Sequence, residues 1–281
     1  MATQNSYTYE SLLIVVDPTE DEQPALERAL ASSEHNTHPT VHIFIGVDLT
    51  HTDSGPGNQK LYKHTDELAA LLQPLEDKNI SYTAEISWAS PWQEAILEAA
   101  RQHEVDMIIV PDYSANKGKG SARAGLFNRL SDTKWGLLRN ATCPVYFVRT
   151  NPGRKRSTVL AAIKTQTVDA KYDALNEKII SRGKWLASLF GAEFHVVNAY
   201  PDSTNYPDHG QLRRITDMDS SKVHIKLGSP EDVIADVAEE VGADIVVIGT
   251  LARKGMRGAM RGNTSEKVLN KLPQDVFTLN H

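Results

Sequence analysis

One stretch concentrates the residues suited to ligand chemistry. From Ile248 it runs Gly249, Thr250, Leu251, Ala252, Arg253, Lys254, Gly255, Met256, Arg257, Gly258, Ala259, Met260, Arg261, Gly262, Asn263, Thr264, Ser265. Arg253, Lys254, Arg257 and Arg261 carry four positive charges with no acid among them, in a chain whose net charge is -6. An apolar run precedes the stretch and an amphipathic one follows it, so it joins a strand to a helix. Small residues there leave backbone N–H groups open, and the helix adds the positive end of its dipole. This is an anion site in outline, and phosphate is the anion it suits.

The elements that hold this loop can be read from short apolar runs alternating with longer amphipathic segments, the pattern of βαβ units and a largely parallel sheet. In the first half the strand candidates are Leu12 to Val16, Val41 to Ile45, Tyr82 to Ile86, Met107 to Val110 and Val145 to Val148. In the second they are Thr158 to Ile163, Phe194 to Asn198, Val223 to Lys226, Ile245 to Ile248 and Val276 to Leu279. The halves also match residue by residue. Ser90-Pro91 and Ser229-Pro230 stand 139 residues apart, and Asp106 stands 138 before Asp244. A duplicated unit of about 140 residues follows. Its copies occupy 1–150 and 157–281, joined by a linker over 151–156 whose Arg154-Lys155-Arg156 reads as a solvated connector. After each Ser-Pro the serine can cap a helix and the proline suits its first position. Ile96, Leu97, Ala99 and Ala100, and Val233, Ile234, Val237 and Ala238, recur at helical spacing and read as core.

The loop spacing resembles the nucleotide-binding motif of the universal stress protein family: a glycine, two residues, a glycine, nine residues, then glycine and serine or threonine. Here its positions are Gly249, Ala252, Gly262 and Asn263. Asp173-Ala174-Leu175-Asn176-Glu177-Lys178 and Gly262-Asn263-Thr264 look most like the tandem members of the family. The resemblance spans nearly the whole chain. It implies two tandem doubly wound, five-stranded parallel-sheet α/β domains of the nucleotide-binding α-hydrolase-like kind. It also implies ATP in the C-terminal domain, with phosphates over Gly249, Ala252, Arg253, Gly262, Asn263, Thr264 and Ser265 and adenine near Ile248. Nothing in the pattern assigns a magnesium ion. Three positions depart from the motif. Ala252 replaces its second glycine. Asn263 doubles as a helix cap. Lys164 stands where ATP-binding members carry an acid, and is either a phosphate contact or a surface lysine. In the first copy that acid is present as Asp17, but Pro111, Ser114, Ser131 and Asp132 replace the motif, and residues 115–125 are inserted. An aspartate at the helix start repels phosphate, so the first copy is expected to bind no ATP in the family manner.

Other features exclude more than they assign. The 281 residues are 40% hydrophobic and 23% charged, which is the composition of an ordinary globular protein. The basic residues are dispersed, which sets nucleic acid aside, and no run approaches the ~18 apolar residues of a membrane span. A cytoplasmic protein is expected. Cys143 is the only cysteine and reads as a small apolar residue entering a strand. His42 and His195 recur in the second strands and read as strand-surface residues, while Trp88, Trp92, Trp135 and Trp185 read as packing anchors. No nucleophile elbow, paired cysteine or His-Glu-x-x-His element is present.

The expected function is therefore a non-catalytic stress-response module with ATP or a related nucleotide in its second domain. The alternatives are a binder of another metabolite, such as a lipid-linked molecule or a nucleotide sugar, a scaffold without nucleotide, or a slow ATPase. The partners expected are the small ligand, the other copy as an intramolecular pseudo-dimer through the last strands, and a second chain as a homodimer.

Overall fold

The computed structural model describes residues 9–17, 20, 22–33, 39–46, 57–88, 92–113, 134–149, 154–166, 169–251 and 264–280, with backbone alone over most of 57–67. Ten strands form: β1 (Ser11–Val16), β2 (Thr40–Gly46), β3 (Tyr82–Ser87), β4 (Met107–Pro111), β5 (Val145–Val148), β6 (Thr158–Ile163), β7 (Glu193–Tyr200), β8 (Val223–Leu227), β9 (Ile245–Thr250) and β10 (Asp275–Asn280). The helices are α1 (Pro24–Ser33), α2 (Gly57–Asp77), α3 (Trp92–Gln102), α4 (134–140), α5 (Ala170–Phe190), α6 (His209–Thr216), α7 (Pro230–Glu240) and α8 (Thr264–Lys271).

All ten strands lie in one sheet in the order β3-β2-β1-β4-β5-β10-β9-β6-β7-β8. Each half contributes five parallel strands in the same order. The halves meet where β10 runs antiparallel to β5, with Val276 opposite Phe147 and Thr278 opposite Val145. This pairing covers the edge that β5 would otherwise expose, and an exposed apolar edge recruits other chains.

The inner strands are largely apolar on both faces, so helices must cover both. Leu12, Ile14 and Val16 of β1 pack in one layer with Leu26 of α1, Leu75 of α2 and Ile179 of α5, while Leu13 and Val15 pack in the other with α3, α4, α7 and α8. The helical positions expected in the core are buried, apart from half-buried Leu97. Full burial of Val233, Ile234 or Val237 stabilises by about 1.5–3 kcal/mol each. Ser229 caps α7 by accepting from the Asp232 N–H, with Pro230 in the first position. Its counterpart Ser90-Pro91 lies outside the described residues.

The matched aspartates do the same work in both halves. Asp106 Oδ2 accepts from the N–H groups of Glu10 and Ser11, at 2.8 and 3.0 Å. Asp244 Oδ2 accepts from those of Ser157 and Thr158, at 2.7 and 3.2 Å. Each pins the start of its half's first strand.

Two expectations need correction. Arg156 is not a solvated connector: it is 2% exposed, and its guanidinium donates to Asp275 at 2.6 Å. Trp88 is not a packing anchor but stands 36% exposed beyond edge strand β3. Trp92 is buried, and a side chain at Gly46 would strike it. Cys143 is half-buried, and burial pushes its thiol up to about 11, which leaves little reactive thiolate at neutral pH.

Candidate functional site

The strand order reverses between β1 and β4 in the first half and between β6 and β9 in the second, and ligands of such sheets bind beyond the carboxyl ends of the strands at that point. In the second half, Asn176 of α5 holds the end of β6. Its Oδ1 accepts from the Lys164 N–H at 3.1 Å, and its Nδ2 donates to the Lys164 carbonyl at 2.7 Å. This leaves the Lys164 side chain outside, with Nζ 4.8 Å from the centroid of the Tyr172 ring. Beside it, buried Asn198 of β7 donates to the Ile163 carbonyl and to Thr165 Oγ1, and accepts from Gln166. Beyond β7, Tyr200 and Tyr206 meet edge to face at 5.1 Å, and the Tyr206 hydroxyl bonds His209.

At the end of β9, Ile248 is buried, and the Gly249 carbonyl accepts from Ser265 Oγ at 2.9 Å. The first turn of α8, where Thr264 is exposed, is thereby fastened to the strand that leads into the basic loop. Of the expected site residues, Ile248, Gly249, Thr264, Ser265 and Lys164 are thus placed, whereas Ala252, Arg253, Gly262 and Asn263 lie outside the described residues. So do 115–125, Ser114, Ser131 and Asp132 of the first copy.

Gly249 has a packing reason to be glycine. A Cβ there would stand 2.7 Å from Leu175 Cγ and Cδ2 and 2.8 Å from Ile179 Cδ1. Gly249→Val is expected to force α5 off β9 and cost about 1–3 kcal/mol, read as a lower urea midpoint. An unchanged midpoint would show that α5 yields freely.

The first-half counterpart carries carboxylates directly after β1 and β4, where Lys164 and Leu251 follow β6 and β9 in the second. Asp17, after β1, is fully buried. Asp112, after β4, is held between Lys134 Nζ at 2.8 Å and Arg149 Nε at 2.5 Å. Tyr113 donates to the Glu22 carbonyl at 3.0 Å, and its phenol is pushed well up by burial and by the nearby Asp17 carboxylate.

The first half also grips α8. The Arg149 guanidinium donates to the carbonyls of Leu269 and Leu272 at the helix's C-terminal end, where a cation opposes the dipole favourably. Arg139 donates through Nε to Glu266 Oε1 at 2.6 Å in the first turn. Glu266 is thus paired across the two halves. These links were not foreseen, since contacts more than 100 residues apart leave no local pattern.

Among the described residues, no group of three or more His, Cys, Asp or Glu could hold a metal ion, and no helix is long and apolar enough to cross a membrane.

A duplicated doubly wound sheet that ends in a basic strand-to-helix loop defines a class, and comparison with known proteins agrees. The universal stress protein family model matches residues 8–149 and 217–279, and the chain belongs to that family. It is similar to Universal stress protein E of Salmonella typhi, with 28% identity over 96% of this chain and 94% of the relative, and to that of Escherichia coli K12, with 26% identity and the same coverage. Among solved structures, a chain from Pseudomonas aeruginosa UCBPP-PA14 assigned to the family superposes with a TM-score of 0.75 at 26% identity, covering 97% of this chain and 93% of the other. Residues 150–216 fall outside the family match. They carry β6, α5, β7 and α6, the side of the cleft where Lys164, Asn176 and Asn198 lie.

Proposed function

We propose that this chain is a non-catalytic regulatory module of the stress response whose second half binds ATP or a related nucleotide at the β6/β9 end of the sheet. The observation that carries the reading is the Ser265 to Gly249 hydrogen bond. It seats the start of α8 beside the end of β9, so the segment with Arg253, Lys254, Arg257 and Arg261 leaves and returns at one place. Four cations and a helix N-terminus suit a polyphosphate. Lys164 adds a fifth cation at the mouth, where an acid would have favoured ribose hydroxyls, so phosphate dominates recognition. The loop residues Gly249, Ala252, Gly262, Asn263, Thr264 and Ser265 would hold it through backbone and hydroxyl groups.

Binding without turnover fits the neighbouring groups. Asn176, Asn198 and Ser265 are engaged with backbone, and the Glu266 carboxylate is engaged by Arg139. None is an idle base within reach of an attacking water. Incubation with Mg-ATP should give nucleotide retention with no sustained phosphate release, and repeated turnovers would assign a slow ATPase instead.

The aromatic group Tyr200, Tyr206 and His209 favours a second reading. Tyr206 is 53% exposed, and an exposed ring beside a phosphate site suits a ligand with both apolar and charged parts, such as a nucleotide sugar or a lipid-linked metabolite. Because β5 and β10 already satisfy each other, a homodimer of chains would use another surface.

A further inference from the structure

The second strand of each half carries a histidine at the same register: His42 lies opposite Leu13, and His195 opposite Leu160. Each ties in the strand at an open edge of the sheet. In the second half, His195 Nδ1 and His224 Nε2 are 3.0 Å apart, with ring centroids at 5.3 Å and planes at 24°. Centroids separated by the nitrogen gap plus two ring radii place the rings end to end, so one proton lies between the facing nitrogens. In the first half, His42 Nδ1 meets Thr83 Oγ1 of edge strand β3 at 2.7 Å, and its ring stacks on His103 with centroids at 4.1 Å. His103 Nε2 in turn lies 3.7 Å from Glu85 of β3.

The charges around both pairs are few. His195 Nε2 faces Glu193 at 3.4 Å, a carboxylate shared with Lys222. His224 senses Glu240 and Lys226, which pair with each other. His42 senses His103 and Glu85. One added proton per pair is accommodated by these carboxylates. A second sets two N–H groups head on between β7 and β8, and stacks two cations beside β3. Burial, and next the partner imidazole, lower the pKa of His42 and of His224. The sign follows: below about pH 6.5 the unfolded segment takes up more protons than the folded one, so stability falls as pH drops through that window.

We infer that the histidine pairs His42–His103 and His195–His224 form a duplicated proton switch that loosens the two edge strands, β3 and β8, together on mild acidification. Loosening these strands bares the ladders of β2 and β7. It also frees Trp88, just beyond β3, and Leu227, the last residue of β8, which are 139 residues apart and already 36% and 60% exposed. The inference is independent of the nucleotide reading.

The test is hydrogen exchange of the full chain, read by mass spectrometry at about pH 7.5 and about pH 5.5 after correction for intrinsic rates. Peptides over 82–87 and 223–227 should lose about tenfold protection at the lower pH while β1, β4 and β9 hold theirs. The double variant His42→Gln, His195→Gln should abolish that difference. A uniform loss, no loss, or an undiminished response in the variant would overturn the switch. If the variant does not fold, ring-proton NMR of the natural chain decides: His42 and His224 should take up their protons below the ordinary histidine range, and curves at the ordinary value would overturn the switch.

Discussion

Asp275→Ala should lower the stability of the chain by about 3–5 kcal/mol, the cost of stripping one partner from a buried ion pair. The Asp275 carboxylate is wholly buried at the seam between the halves. It accepts from Tyr146 Oη at 3.1 Å, the Arg149 N–H at 2.8 Å and Arg156 Nη2 at 2.6 Å, with Arg28 Nε 3.7 Å away. Burial works against the Arg156 charge, and Asp275 and Tyr146 together hold that guanidinium's pKa above the ordinary arginine value. Without the carboxylate, two guanidinium groups face each other in an apolar seam. Urea unfolding should show the loss as a lower midpoint, and a midpoint within error of the natural chain would mean that water reaches the seam and screens it. Asp275→Asn should recover part of the loss, since the amide oxygen can still accept from the Arg149 N–H.

Replacing Arg253, Lys254, Arg257 and Arg261 together by glutamine should weaken nucleotide binding by between about tenfold and a thousandfold. Exposed charges contribute roughly 0.5–1 kcal/mol each to an ionic contact, and each 1.4 kcal/mol is a factor of ten. The residual affinity should be less sensitive to salt, because screening acts on the charges removed. Thermal unfolding without ligand should change little, which separates an effect on the ligand from one on the fold. Equal affinity in the two forms would remove phosphate from the recognition and favour a ligand held by Tyr200, Tyr206 and His209.

The sheet was legible in the sequence because its signal is local. Strands buried on both faces must be continuous apolar runs, the edge strands β3 and β8 alternate instead, and all ten segments became strands within one or two residues of the expected ends. The duplication was legible as a repeated spacing of Ser-Pro and of Asp106 and Asp244, but the work of the aspartates was not, since each pins a strand start 86 to 96 positions away. Arg156 was misread as a linker residue because its partner Asp275 is 119 positions away. The arginine grip on α8 was hidden for the same reason, since Arg149 reaches carbonyls 120 and 123 positions distant. His42 and His195 were recognised as a repeat, but their partners differ: His103 follows α3, whereas His224 lies in β8. Gly249 was marked as a motif residue, and only the packing of Leu175 and Ile179 shows why a side chain is excluded there.

Native mass spectrometry of the freshly purified chain, with and without added Mg-ATP, decides whether the second half is a nucleotide site. One nucleotide per chain is predicted, lost when the four loop cations are neutralised and retained in a variant that replaces Asp17 of the first half by asparagine. A chain that stays empty at saturating ATP, or that loses its nucleotide only in the Asp17 variant, would contradict the assignment.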